Sequence, residues 1–215
     1  MVIGVLVLGA AILSLILLYR WIDPPVTPLM LLRYPEAGRI DRVPVPLHAI
    51  SRQLQYAVIA SEDNRFCRHH GVDWGAVNDA VEEYDQEGRL RGASTITMQV
   101  ARNLFLWPGG GFFRKGIEVA LALTIDALLP KRRILELYLN VAEWGDGIYG
   151  AEAASRAHFR TAAARLSRRD AALLAAVLPN PRRWTPARPS NYIAGRASAI
   201  AARIGQLGDY YDCLR

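Results

Sequence analysis

Lysine is almost missing from this chain. Arginine supplies 24 of the 26 basic residues, leaving only Lys115 and Lys131. Cysteine is scarce too. Cys67 and Cys213 form no CxxC pair and match no zinc spacing, which argues against a metal–thiolate site. They read as two unrelated free thiols, with a disulfide as the alternative outside the cytoplasm. There is no Walker loop and no GxGxxG, so neither phosphate-cradling motif is available. None of the eight serines opens a Ser-x-x-Lys, which argues against a penicillin-binding acyltransferase module. No internal repeat occurs, and no alternation of apolar and polar residues runs long enough for a core strand.

What is present is 215 residues with a net charge of +6 and a pI of about 9.6. That balance suits an anionic partner such as phosphate, acidic lipid or nucleic acid. Residues 2–19 carry no charge, and 18 residues of helix span about 27 Å, close to the hydrocarbon core of a bilayer. No basic leader precedes this stretch and no A-x-A site follows it, so it reads as an uncleaved transmembrane anchor over residues 1–22 rather than a signal peptide. Arg20, after the span, would by itself keep the rest of the chain on the cytoplasmic side.

Residues 23–46 are rich in proline and read as a linker or extended lead-in. From residue 47 to about 212 the pattern is helical, giving a mainly α domain. Leu47, Ile50, Leu54, Ala57, Val58 and Ile59 form an amphipathic helix running into Glu62. A polar stretch over residues 85–92 leads to Ser94, read as the N-cap of the next helix. The glycines of "WPGGGFF" mark a loop, and a helix is expected from Arg114 to Leu129, stopped at Pro130. Another covers residues 131–140. Ser167 and Asp170 resemble a capping box, and Ser190 opens a last helix ending near Gly208.

Several residues in this frame carry chemistry. Glu62 is delivered by the last turn of an apolar helix to a polar loop, and a half-embedded carboxylate has its pKa raised, as a general acid or base requires. Arg114 and Glu118 share a helix face at i, i+4, with Lys115 beside them. Two cations near a helix start suit a phosphate or pyrophosphate, and Glu118 would hold a divalent metal or orient those cations. "GASTITMQ" offers Gly92, Ser94, Thr95, Thr97 and Gln99 to an oxygen-rich ligand, or simply caps a helix. His69 reads as a structural hydrogen-bonder, since adjacent histidines do not share a face and no third ligand stands at zinc spacing. Glu136 and Asn140 read as structural.

Taken together, these segments resemble the peptidoglycan glycosyltransferase family, specifically its monofunctional, membrane-anchored, biosynthetic type. "EDNRFCRHHG" is similar to the motif E-D-x-x-F-x-x-H-x-G at Glu62, Asp63, Phe66, His69 and Gly71. "GASTITMQ" is similar to G-x-S-T-x-T-Q-Q, "RKGIE" to R-K-x-x-E, and "KRRILELYLN" to K-x-x-I-L-E-x-Y-L-N, which includes Lys131, Glu136 and Asn140. "GDGIYGAEAA" and "LPNP" also fit, and the match runs in order from about Pro46 to Tyr210.

The resemblance implies a lysozyme-like helical domain of two lobes, one facing the membrane, on the periplasmic side of the bacterial inner membrane. This overrides the weak charge argument from Arg20. It implies lipid II and a growing lipid-linked glycan strand as substrates, with other cell-wall synthesis or division proteins as further partners and no role for nucleic acid. Glu62 would be the general base on a GlcNAc 4-hydroxyl that attacks C1 of the strand, giving an inverted β-1,4 bond and releasing undecaprenyl pyrophosphate. Glu118, with Mg²⁺ or Mn²⁺ in some members, would help neutralise the pyrophosphate. Asp63, Ser94, Thr95, Thr97, Gln99, Arg102, Arg114 and Lys115 would bind substrate.

The chain departs from the pattern at four places. Met98 stands where the family usually has the first Gln of a pair, and Arg102 replaces a frequent Lys while keeping its charge. Gly110 falls where many members carry an Arg, and His158 takes the place of a common Tyr. Two rival readings are a lytic, lysozyme-like hydrolase, which would also use a lone Glu in a helical cleft, and a non-catalytic membrane scaffold of the cell-wall machinery.

Overall fold

The computed structural model describes residues 2–87, 92–206 and 208–214. The described residues form ten α-helices and one small sheet. The helical expectation holds, and the arrangement fits a lysozyme-like fold. Helix α1 (Val2–Leu18) is apolar all round and leaves most of its side chains exposed. No helix among the described residues is long and apolar enough to cross a membrane.

The lead-in is not irregular. Thr27 caps a second helix, α2 (Pro28–Ala37), with proline at its first position and Gly38 closing it in the left-handed region. Met30 buries one face of α2, while Leu31, Leu32 and Tyr34 remain exposed on the other. Strand β1 (Asp41–Arg42) follows. Arg42 fixes this segment by donating to the carbonyls of Pro25 and Asn140 at 3.0 and 2.8 Å. Asn140 adds a two-way bracket, accepting from Val45 N at 3.0 Å and donating to its carbonyl at 2.8 Å.

Helices α3 (Arg52–Glu62) and α4 (Trp74–Glu87) precede residues 88–91, so part of the polar stretch expected at 85–92 lies outside the described residues. Then come α5 (Ile96–Phe105), α6 (Gly111–Leu128) and α7 (Lys131–Val141). The cap of α5 is Thr95 rather than Ser94, because the Thr95 hydroxyl accepts from Met98 N at 3.1 Å. Helix α6 begins at Gly111, so Phe112 and Phe113 belong to a helix and not to the loop.

Strands β2 (Glu143–Gly145) and β3 (Ile148–Tyr149) complete a sheet of order β1-β3-β2, with β1 parallel and β2 antiparallel to β3. Such two- and three-residue strands are too short for alternation to appear in the sequence. The chain closes with α8 (Ala151–Phe159), α9 (Arg168–Val177) and α10 (Asn191–Ile204). Ser167 and Asp170 make the expected reciprocal cap of α9.

Helix α9 is buried continuously from Ala171 to Val177, between α3 on one side and α10 on the other. Its alanines permit close approach, while Leu54, Val58, Leu174 and Ile200 fill the space between. A fully buried leucine of this kind contributes about 1.5–3 kcal/mol. A second group of helices packs α5 against α6 and α7. The end of α3 and the face of α5 meet where these groups join.

Cys67 and Cys213 are not free thiols. They form a disulfide with Cα atoms 5.4 Å apart, across 146 residues of sequence. Spacing gave no hint of it, because the pairing depends on the segment after α10 returning to the loop after α3. There Tyr56 and Tyr211 also stack, with ring centroids 3.9 Å apart.

Candidate active site

Glu62 is the last residue of α3, at the junction of the two helix groups. Burial raises its pKa above the ordinary 4.5, opposed in part by the Gln99 hydrogen bond and the Arg196 and Arg102 charges. Gln99, on α5, donates to Glu62 Oε2 at 3.2 Å, and its carbonyl accepts from the Tyr138 hydroxyl at 3.1 Å. Tyr138 therefore fixes which way the amide points. Arg196, from α10, places a guanidinium nitrogen 3.9 Å from Glu62 Oε1.

Asp63 braces the site. Its carboxylate accepts from Ile96 N at 2.9 Å and contacts His69 Nε2 at 2.9 and 3.0 Å, so it ties α3 to the start of α5 and to the loop between. A carboxylate at a helix N-terminus is also favoured by the helix dipole. Its contacts are those of a support, although its edge lines a cavity. His69 is buried against the Asp63 carboxylate. Gly71 lies at φ +80°, where an added Cβ would sit 2.6 Å from the Ala122 carbonyl, so only glycine allows this loop onto α6. Phe66 is fully buried, with Lys131 Nζ 4.7 Å from its ring centre and 2.6 Å from Asp126.

The hydroxyls of "GASTITMQ" divide in role. Ser94 faces a cavity and accepts from Lys115 Nζ at 2.6 Å. Thr95 is occupied as a cap and donates to the Gly71 carbonyl at 2.6 Å. Thr97 is wholly buried, so its hydroxyl is not placed to meet substrate. Met98 is also buried, only 2% exposed, and packs in the core, so no polar contact in the cleft is lost there.

Glu118 is 0% exposed and receives both neighbouring cations. Arg114 donates to one of its oxygens, and Lys115 donates to the other at 2.7 Å. A buried carboxylate stays charged only with such pairing, and two cations on one anion leave a local surplus of positive charge. These contacts hold Arg114 and Lys115 on one carboxylate. Both of its oxygens are taken, and no group of three His, Cys, Asp or Glu suited to a metal occurs among the described residues. Gly110, at φ +88°, caps α6 where an added Cβ would lie 2.9 Å from Arg114 Cβ. Its bareness lets Arg114 fold back onto the Gly109 carbonyl.

Glu136 and Asn140 tie α7 to residues 45–47. Glu136 accepts from Leu47 N at 2.6 Å and from Arg133.

Two cavities flank the Glu62–Gln99 pair. One, of about 380 Å³, is lined by Glu62, Asp63, Arg65, Asp73, Gly92 and Ser94. The other, of about 260 Å³, is lined by Gln99, Arg102, Arg114 and Tyr138, together with Arg33 and Glu143. The Arg102 side chain makes no hydrogen bond or ion pair among the described residues, and its charge acts on Glu62. The sequence had marked neither Tyr138, which looked like core, nor Arg196, which is indistinguishable locally from the many other arginines.

The Transglycosylase family model matches residues 31–205. A biosynthetic peptidoglycan transglycosylase of Rhodospirillum centenum is 57% identical over 198 residues, covering 92% of this chain and 86% of the relative. One from Stutzerimonas stutzeri is 48% identical over 200 residues, covering 90% and 83%. One from Pseudomonas putida is 47% identical over 206 residues, covering 93% and 87%. With a carboxylate of raised pKa lining a polar cavity, and with these relatives, the chain belongs to the transglycosylase family as a biosynthetic peptidoglycan glycosyltransferase.

Proposed function

We propose that this enzyme polymerises lipid II into β-1,4-linked glycan strands, with Glu62 as general base. The observation that carries the reading is that Glu62 lines a polar cavity and is hydrogen-bonded by Gln99, which lines a second cavity together with Arg102 and Arg114. The sugar acceptor lies in the first, with its GlcNAc 4-hydroxyl against Glu62. The growing lipid-linked strand lies in the second, with its pyrophosphate among the arginines.

Glu62 takes the hydroxyl proton as the oxygen bonds to C1 of the strand's terminal MurNAc. The bond from C1 to the pyrophosphate oxygen breaks, and the electron pair leaves with undecaprenyl pyrophosphate. Attack opposite the leaving group inverts C1, giving the β linkage. Arg102, Arg114 and Lys115 meet the charge that develops on the pyrophosphate, and each such fixed donor is worth roughly 2.7–4 kcal/mol in a water-poor site. Glu118 keeps Arg114 and Lys115 in place. A divalent ion such as Mg²⁺ or Mn²⁺ fits best as a companion of the pyrophosphate, since Glu118 already holds two cations. A lytic enzyme using the same glutamate would have no need of this cation cluster.

The domain has two lobes, one on each side of the cleft, and it works on the periplasmic face of the bacterial inner membrane. Helix α1, with its exposed apolar side chains, anchors it there with Trp21 and Ile22 at the interface. The Cys67–Cys213 disulfide supports an oxidising compartment.

Labelled lipid II incubated with the detergent-solubilised protein and Mg²⁺, beside Glu62→Gln, tests the reading. Lysozyme-sensitive polymer from the wild type and none from the folded variant is the expected result. No polymer from folded wild type would favour a scaffold, and digestion of preformed peptidoglycan would favour the lytic reading.

A further inference from the structure

The second cavity contains a pair of residues outside every motif described so far. Arg33, on α2, and Glu143, at the start of β2, both line it, and both also line a neighbouring cavity of about 560 Å³ beyond. Together with Pro179 and Pro181, they are the residues common to both linings. Arg33 Nε stands 3.4 Å from Glu143 Oε2 without a well-aligned hydrogen bond, and Nε has no other hydrogen-bond partner. Glu143 is 8% exposed, and its Oε1 also lacks a partner. The pair is close enough to attract, yet it leaves Nε without a hydrogen bond, in a side chain that lines a cavity together with Arg102 and Arg114.

The helix that carries Arg33 is fixed. Thr27 caps it, Met30 is fully buried, and Arg33 follows Met30 by three residues on the same inward face. Three guanidinium groups with one carboxylate leave the cavity positive. Burial raises the Glu143 pKa, opposed in part by the Arg33 and Arg182 charges and a backbone hydrogen bond at Gly147, and the carboxylate stands 3.4 Å from Arg33 Nε, close enough to hold the guanidinium in place.

We infer that Arg33 is a further substrate-binding residue, which together with Arg102 and Arg114 takes the pyrophosphate of the lipid-linked strand, while Glu143 holds it ready. The inference rests on the proposed polymerisation, and it assigns a binding role to a helix outside the segments that carry the family motifs. On ligand binding, the guanidinium turns its free N–H groups from the loose contact with Glu143 to the phosphate oxygens. Such charge-assisted bonds are stronger than neutral ones and suit the planar fork of arginine. Glu143, facing the same anion, opposes it.

The pair therefore makes opposite contributions, and this separates a binding role from a structural one. Farnesyl pyrophosphate binding to the full-length, detergent-solubilised protein is measured by calorimetry for wild type, Arg33→Ala, Arg33→Lys and Glu143→Gln. Arg33→Ala is expected to weaken binding about tenfold, the loss of one charge-assisted contact. Arg33→Lys, which keeps the charge without the fork, is expected to weaken it less and keeps the test open if the alanine variant fails to fold. Glu143→Gln is expected to tighten binding about twofold or more, as one opposing charge is removed. The KM for lipid II should move in the same directions.

Equal affinity in wild type and Arg33→Ala would overturn the inference. So would equal losses in Arg33→Ala and Glu143→Gln, which mark a merely structural pair. A parallel arm uses phosphatidylglycerol vesicles, and loss of vesicle binding alone in Arg33→Ala would assign the arginine to membrane lipid and overturn the inference as well. Absence of polymer from wild type would instead sink the proposed reaction and leave the pyrophosphate result standing.

Discussion

Gln99 reaches from α5 to donate a hydrogen bond to Glu62 at the end of α3, at 3.2 Å. This bond stabilises the ionised carboxylate and offsets part of the burial that raises its pKa. The amide favours the ionised form of Glu62, and Tyr138 holds the amide.

Replacing Gln99 with Leu should therefore raise the Glu62 pKa further. Activity requires the carboxylate, so the acid limb of the pH profile of kcat/KM should move to higher pH. Tyr138→Phe should move it the same way by less. An acid limb that stays in place in Gln99→Leu would show that the bond does not control the base.

Glu62→Gln should lose about 10²–10⁴-fold in polymerisation rate, the usual worth of a general base. Its stability should move the other way. A carboxylate with a folded pKa above its unfolded value destabilises the fold at neutral pH, and the penalty disappears as pH falls below the unfolded value. The variant should melt above wild type at neutral pH, with the gap closing toward pH 4–5, as scanning calorimetry would register.

Glu118→Ala should cost about 3–5 kcal/mol, because Arg114 and Lys115 would lose the anion that both of them contact. Denaturant midpoints and the KM for lipid II should both worsen. Unchanged stability would mean that the cations do not depend on Glu118.

Gly110→Arg should not strengthen phosphate binding in this chain. An L residue at φ +88° costs about 1–2 kcal/mol, and its Cβ would press on Arg114. A higher KM and a lower melting temperature are expected. A lower KM would show that the loop re-forms around the new side chain.

The helices were legible because their signals are local. The apolar spacing of α3, the paired cap of α9 and the stop at Pro130 each lie within a few residues. Glu62, Arg114 and Lys115 were legible for the same reason. Other features depend on distant parts of the chain. Strand β1 is two residues long and pairs with Ile148 and Tyr149, so no pattern announced it. Thr97 sits among the hydroxyls and amide of a motif that looks suited to an oxygen-rich ligand, and only the packing of α5 shows that it and Met98 face inward. Arg33 lay in a proline-rich stretch that read as a linker, which concealed the helix that aims it.

The disulfide also sets an order of events during synthesis. Cys67 sits five residues beyond Glu62, and Cys213 is made 146 residues later. At roughly 5–20 residues per second, the loop after the base waits about 7–30 seconds for its partner to be translated, and oxidation can only follow. Strand β1 waits in the same way for β3. A nascent chain therefore leaves the ribosome with the loop after Glu62 still unfastened, and its tie to the segment after α10 forms only once the chain has met an oxidant.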